Sequence, residues 1–324
     1  AGVSTATVSL VVSDKDPGRV GEQTRLRVLS AIETLGYRVD ANARSLATGI
    51  SPWISLVVGN LNNPYFSAIT MGAYEAFEQD FQLLLTISNP RSIEDPLQAL
   101  SAIPNQVQGF LTEAWALPLI LSSGLSSNIV ALDWQETHKP IVSTVGFDLT
   151  QGIKDLAKHL LDLGHQRIIY IDADISAPSF EKRRNLLNQF LQEYSNSKIF
   201  FQRERSEITL ESSASLFADR YREWEALGIT AIVCATDMQA FGIIGEAPSL
   251  GIKLPVDFSI VGFDDLPLSG VIAPGLTTVR LSGHDLGFES AYLMKSMIKK
   301  PESELKHIKL KSTLIVREST SAPR

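Results

Sequence analysis

The sequence predicts an α/β protein: two doubly wound parallel-sheet subdomains behind a small all-α unit. Three observations carry this. From residue 54 onward, short apolar runs alternate with amphipathic helical stretches, the pattern of parallel strands with helices on both faces. About ten such runs are too many for one sheet and suit two. Residues 1–50 instead hold helical segments and turn clusters, with no strand-like run.

The chain opens on Gly2-Val3-Ser4-Thr5-Ala6-Thr7-Val8-Ser9-Leu10. Ser4 is placed to cap a helix, which leaves Thr5, Ala6 and Ser9 on a face of small side chains that another macromolecule could approach closely. The same nine residues also suit an ordinary N-terminal helix that only packs. Residues 13–18 form a turn cluster, and a helix then starts at Gln23 or Thr24. Its apolar positions are Leu26, Val28, Leu29, Ile32 and Leu35, and Gly36 ends it. Residues 40–49 are helix-competent but only about two turns long, too short to stand alone.

In the body, strands are predicted over 54–58, 83–87, 109–111, 128–132 and 141–145, with a helix after Asn62-Asn63-Pro64 running to about Phe77. A second series follows: strands 167–171, 198–201, 229–235, 259–263 and 277–281, interleaved with helices 151–163, 180–194, 211–227 and 238–250. A helix over 284–298 and one strand over 310–316 complete the chain.

The 324 residues, 44% hydrophobic and 20% charged, describe an ordinary globular protein with room for two or three domains. No run approaches the roughly 18 apolar residues of a membrane span, and no secretory signal opens the chain. The lone Cys234 rules out a disulfide within the chain and fits a reducing cytoplasm. Net charge is −7, but residues 1–50 hold six basic against five acidic side chains. The acidic body will not attract a polyanion, so any nucleic-acid contact belongs to the first fifty residues.

Parallel sheets bind ligands beyond the carboxyl ends of their strands. Those positions are 60–66, Asp133-Trp134, 146–148, 172–179, Thr236-Asp237 and Asp264-Asp265. Aromatic rings with carboxylates and amides suit a small polar ligand, one with a ring included. At Asp264-Asp265 one side chain is expected to face the ligand and the other to be structural, because neighbours on a strand point opposite ways. No nucleophile elbow, phosphate loop or dinucleotide fingerprint is present, and the five histidines lack metal-ligand spacing. No enzyme activity, metal or cofactor is expected.

Taken together, the motifs Ala1–Ser9 (AGVSTATVS), 25–37 (RLRVLSAIETLGY), Ala43-Arg44-Ser45-Leu46, Asn63-Pro64-Tyr65-Phe66, 163–168 (LGHQRI), 254–265 (LPVDFSIVGFDD) and 276–280 (LTTVR) resemble the LacI/GalR family of bacterial transcription regulators across nearly the full chain. The resemblance implies a helix-turn-helix headpiece and hinge helix in residues 1–50, and a core like periplasmic sugar-binding proteins in 51–324. The core would divide into 51–148 plus 281–308 and 149–280 plus 309–324, with crossings near Asp148, Arg280 and Lys309. It also implies a cytoplasmic homodimer, a near-palindromic operator, no membrane partner, and repression controlled by a small-molecule effector in the cleft.

Carried onto this chain, DNA contacts fall to Ser4, Thr5, Ala6, Thr7 and Leu10, with Ala43, Arg44 and Leu46 in the hinge. The family usually has a longer polar or basic residue at position 10. Ala6 and Leu10 can touch only apolar base features, so thymine methyls are expected to be read, and uracil substitution should weaken binding. The other reading of Leu10 is that it packs inward. Leu46 matches the leucine that wedges into the minor groove. The family also has about ten residues before Ala1, holding the first helix of the helix-turn-helix. The chain as given is therefore expected to bind operator poorly. Effector contacts fall to Tyr65, Phe66, Trp134, Asp148, Arg183, Asp237 and Asp264, with Arg184 competing for the role of Arg183. A sugar or sugar derivative is the first expectation, a purine-like ring the second. The alternative to a regulator is a solute-binding protein of the periplasmic type, which would lack the headpiece.

Overall fold

The computed structural model describes residues 1–12, 16–37, 51–78, 80–87, 103, 107–124, 128–135, 140–175, 177–301 and 304–324. They form two units, Ala1–Pro52 and Trp53–Arg324. In the first, α1 (Thr5–Val12) and α2 (Glu22–Leu35) pack together around Val11 and Val28. Ser4 caps α1, its Oγ accepting from the Thr7 N–H at 3.2 Å. Gly36, left-handed at φ 56°, ends α2 and lets the Tyr37 N–H reach the Ile32 carbonyl. Between the helices, the buried Asp16 receives the Arg25 guanidinium at 2.8 Å while its carbonyl accepts from Arg19 and Val20. The hinge segment, 40–49, lies outside the described residues.

The second unit contains two six-stranded sheets. The first is built from β1 (Trp53–Val58), β2 (Gln82–Ile87), β3 (Gly109–Glu113), β4 (Asn128–Leu132), β5 (Ser143–Asp148) and β11 (His307–Lys311). Its order is β11-β5-β4-β3-β1-β2, and every pair is parallel. The helices α3 (Pro64–Phe77), α4 (Leu117–Ser122) and α9 (Gly283–Lys299) belong with this sheet. The short α4 escapes sequence reading because its six residues make fewer than two turns, too few for an apolar face to repeat.

The second sheet holds β6 (Arg167–Ala173), β7 (Phe200–Ser206), β8 (Ala231–Cys234), β9 (Ser259–Asp264), β10 (Thr277–Arg280) and β12 (Thr313–Ile315). Its order is β12-β10-β9-β8-β6-β7, parallel except for β12 against β10. The helix α5 (Thr150–Asp162) leads in from β5, and α6 (Pro178–Tyr194), α7 (Leu210–Ala226) and α8 (Asp237–Glu246) connect its strands.

The chain passes from one sheet to the other after Asp148, after Arg280 and at Ser312. The third passage corrects the expected division at Lys309. Lys309 pairs with Gly146 in the first sheet, so the expected single strand over 310–316 is two strands in different sheets. Ser312 fills the joint: it is buried, and its Oγ donates to the Asp148 carbonyl at 2.7 Å and accepts from the Gly152 N–H. The third passage is thereby tied to the first.

Candidate functional site

Both sheets reverse their strand order in the middle, at β1/β3 in one and β6/β8 in the other, and a crevice opens where strand order reverses. A cavity of about 390 Å³ is lined by residues following these strands in both sheets. That volume lies within the ~300–1,000 Å³ range of small-molecule sites.

From the first sheet, the Asn63 side chain caps α3 by accepting from the Tyr65 N–H at 3.0 Å, with Pro64 in the first turn. This cap sets Tyr65 and Phe66 in the wall, their rings edge to face at 5.8 Å. Glu113, the last residue of β3, accepts from the Gly59 N–H at 3.0 Å and the Trp115 Nε1–H at 3.1 Å, both on Oε2. Burial nonetheless pushes its carboxyl up to about 7. Asp133 follows β4 at φ 49°, and burial raises it too, against the opposing pull of Arg183.

From the second sheet, α6 brings Ser179, Phe180 and Arg183. Arg183 is 2% exposed, donates to the Ala235 carbonyl at 2.9 Å, and meets Asp264 Oδ1 at 3.4 Å. It lies over the rings of Phe180 and Phe263 at 5.0 and 5.4 Å. Burial opposes its charge, but Asp264 and Asp133 outweigh that and hold its pKa up. Asp264 ends β9 at φ 110°, and burial keeps its carboxyl well above the usual range although Arg183 pulls it down. Two of the wall's carboxylates thus sit in a backbone region that costs roughly 1–3 kcal/mol outside glycine, a strain concentrated where ligands bind. Three buried polar atoms of the wall have no hydrogen-bond partner among the described residues: Tyr65 Oη, Asp133 Oδ1 and Arg183 Nε.

The expected effector residues separate into two groups. Tyr65, Phe66, Arg183 and Asp264 line the cavity. Arg184 instead pairs with Asp172, as Arg203 does at 2.7 Å, so of the two arginines it is Arg183 that faces the cavity. Asp265 binds Arg280 and Arg317 at 2.6 and 2.7 Å, away from the cavity wall.

Trp134, Asp148 and Asp237 are corrections. Trp134 packs on the apolar cluster of Phe110, Ile129 and Ala131, because the turn at Asp133 sends that carboxylate, not the ring, to the cavity. Asp148 is exposed at the start of α5, where it accepts from the Thr150 N–H. Asp237 is buried behind the wall and receives Ser269 Oγ and Thr278 Oγ1 at 2.6 Å and the Leu266 N–H at 2.8 Å. Burial pushes it up to about 7 against those bonds. It braces the segment after β9 rather than touching the cavity.

Glu113, Trp115 and Phe180 are wall residues that the sequence expectation leaves out, and Asp133, expected beside the cleft, is not among the expected effector contacts. Glu113 escapes because the apolar run of β3 stops at residue 111, two residues short of the strand's edge. Asp133 stands in the right dipeptide, but the expectation rests on the ring beside it.

On the first unit, Ser4, Thr5, Ala6 and Ser9 are exposed, and Thr7 and Leu10 are half-buried. The exposed face of α1 is therefore small and short. Ala43, Arg44 and Leu46 lie outside the described residues.

Two sheets enclosing a crevice, preceded in the chain by a helical unit, define a DNA-binding regulator built on a solute-binding core. Residues 1–40 match the bacterial regulatory proteins of the lacI family, and residues 157–320 match the periplasmic binding protein-like domain. The chain belongs to the lacI family of bacterial regulatory proteins and is a transcriptional regulator. It is 29% identical to the ribose operon repressor of Bacillus subtilis over 322 residues, covering 99% of this chain and 96% of that one. Its fold matches the lac repressor bound to ONPG with a TM-score of 0.84 at 23% identity, covering 99% and 97% of the two chains. A LacI family regulator from Enterococcus faecium, solved with ribose, matches 84% of this chain and all of that one, at a TM-score of 0.73 and 24% identity. The periplasmic-type alternative is not favoured, since the lacI-family match falls on the headpiece that such a protein would lack. Among the described residues, no helix is long and apolar enough to cross a membrane.

Proposed function

We propose that this regulator takes a sugar or sugar derivative as effector in the 390 Å³ cavity, and that occupancy alters its affinity for a near-palindromic operator. The supporting observation is the wall itself. Phe66, Phe180 and Trp115 bring aromatic rings to the wall, against which an apolar ring surface can pack. Asp133, Tyr65 and Arg183 each carry a buried polar atom, unpartnered among the described residues, that a hydroxyl could satisfy. A ring compound with polar groups around its rim meets both requirements. The ribose in the Enterococcus faecium regulator is that protein's ligand, held by a core of the same fold.

In this reading Tyr65, Phe66, Arg183 and Asp264 contact the effector, while Ser4, Thr5, Ala6, Thr7 and Leu10 contact DNA in the cytoplasm. Residues 1–50 serve as headpiece and hinge. Isothermal titration of the protein with ribose, glucose, galactose and hypoxanthine tests the effector class. A sugar should bind at micromolar Kd or tighter and Arg183→Ala should abolish the heat. Binding of hypoxanthine alone would overturn the sugar reading.

A further inference from the structure

We propose that the effector is a sugar carrying a protonated amine, held between Glu113 and Asp133. This rests on the sugar reading above and names the charge of its ligand. The argument is the imbalance of the wall. Glu113, Asp133 and Asp264 line the cavity, Glu207 stands at its exposed rim, and Arg183 is the one cation among the described lining residues.

Arg183 is already committed by geometry. It pairs with Asp264 at 3.4 Å and donates to the Ala235 carbonyl. Glu113 meets only neutral donors among the described residues, the Gly59 N–H and the Trp115 indole, and both lie on one of its oxygens. Asp133 keeps Oδ1 buried and unpartnered among the described residues. Lys309 reaches Asp133 through its field, with its Nζ 3.5 Å from the Trp134 carbonyl. Glu113 and Asp133 also raise each other's cost of charging, as do Asp133 and Asp264.

A neutral sugar would fill the cavity and leave that repulsion in place. An ammonium group brings three donors and one positive charge to two carboxylates that no cation touches among the described residues. It would draw the proton off Glu113, whose carboxyl sits at about 7, and so release a proton on binding at neutral pH. A phosphorylated or carboxylated sugar would bring its negative charge to a wall whose one described cation, Arg183, is already paired with Asp264.

The test compares glucose, galactose and mannose with their 2-amino-2-deoxy and 6-phosphate derivatives by isothermal titration at pH 7, in buffers of different ionisation enthalpy. At least one amino sugar should bind tenfold or more tighter than its parent, with a binding heat that depends on the buffer, and the phosphates should bind at least tenfold more weakly. Glu113→Gln and, separately, Asp133→Asn should each cut the amino sugar's advantage to threefold or less, with native melting curves confirming the fold. Parent sugars binding as tightly as their amines, or phosphates binding best, would overturn the inference and leave the sugar reading standing. Hypoxanthine binding with no sugar bound would overturn both.

Discussion

Asp237 and Asp264 are both buried carboxylates of the second sheet's carboxyl edge, yet their surroundings give them different tasks. Asp264 faces the cavity beside Arg183; Asp237 gathers three donors from the segments after β9 and from β10. Removing Asp237 leaves a backbone N–H and two hydroxyls to find new partners in the dry interior. Asp237→Ala should therefore cost about 3 kcal/mol of stability, given ~1–3 kcal/mol for each buried group left unsatisfied. Urea unfolding checks this, and a loss below about 1 kcal/mol would show that the hydroxyls simply turn elsewhere. His165 makes the matching pH prediction. Burial pushes its imidazole down to about 4, with Nδ1 2.8 Å from Thr230 Oγ1. An unfolded imidazole titrates near 6.5, so the unfolded chain takes up its proton first as pH falls. Stability from this group is full above about 6.5 and is lost as pH drops toward about 4; the loss should be shallower in His165→Asn. The site is legible where residue type and position agree, as at Tyr65, Phe66, Arg183 and Asp264. It is not where one backbone angle decides: a positive φ at Asp133 chooses carboxylate over ring, and no sequence pattern encodes that choice.

At the scale of elements, α3 and α9 approach each other closely at two glycines. A Cβ on Gly72 would lie 2.0 Å from the His284 carbonyl oxygen, and one on Gly287 2.0 Å from that of Ile69. Both obstacles are backbone, so the helices themselves would have to part. Gly287→Ala should cost about 2 kcal/mol, within the ~1–3 kcal/mol of overpacked interiors, measured by thermal or urea melts. Met71 and Tyr74 on α3 and Phe288 and Tyr292 on α9 leave large apolar side chains exposed on these two packed helices. Such a patch is expected to bury itself against a second copy. Sedimentation velocity of the double variant Tyr74→Glu, Tyr292→Glu should show monomer where the unaltered chain shows dimer. An unchanged dimer would place the contact elsewhere. Most strands and helices of the core can be read from apolar runs, because parallel strands buried on both faces are continuous stretches such as 54–58 and 259–263. The ends cannot. Ser312 breaks one apolar run into strands of two different sheets, and that break depends on its bond to the Asp148 carbonyl, 164 residues away in sequence.

For the molecule as a whole, the cavity takes its walls from both sheets, so a ligand there bonds two bodies joined by the three passages near Asp148, Arg280 and Ser312. A ligand that binds one arrangement of the sheets better than another shifts the population between them. If that shift changes operator affinity by some factor, thermodynamic reciprocity requires bound operator to change effector affinity by the same factor. The resulting test works equally well whether the effector releases or recruits DNA. The DNA site would first be selected from a random duplex library. Operator Kd is then measured with and without saturating effector, and effector Kd with and without saturating operator. The two ratios should agree, and in Arg183→Ala, which loses effector binding with the cavity's only described cation, operator Kd should no longer respond to the effector. A change in operator affinity with no matching change in effector affinity would mean that the ligand acts on the DNA-bound protein through a different site.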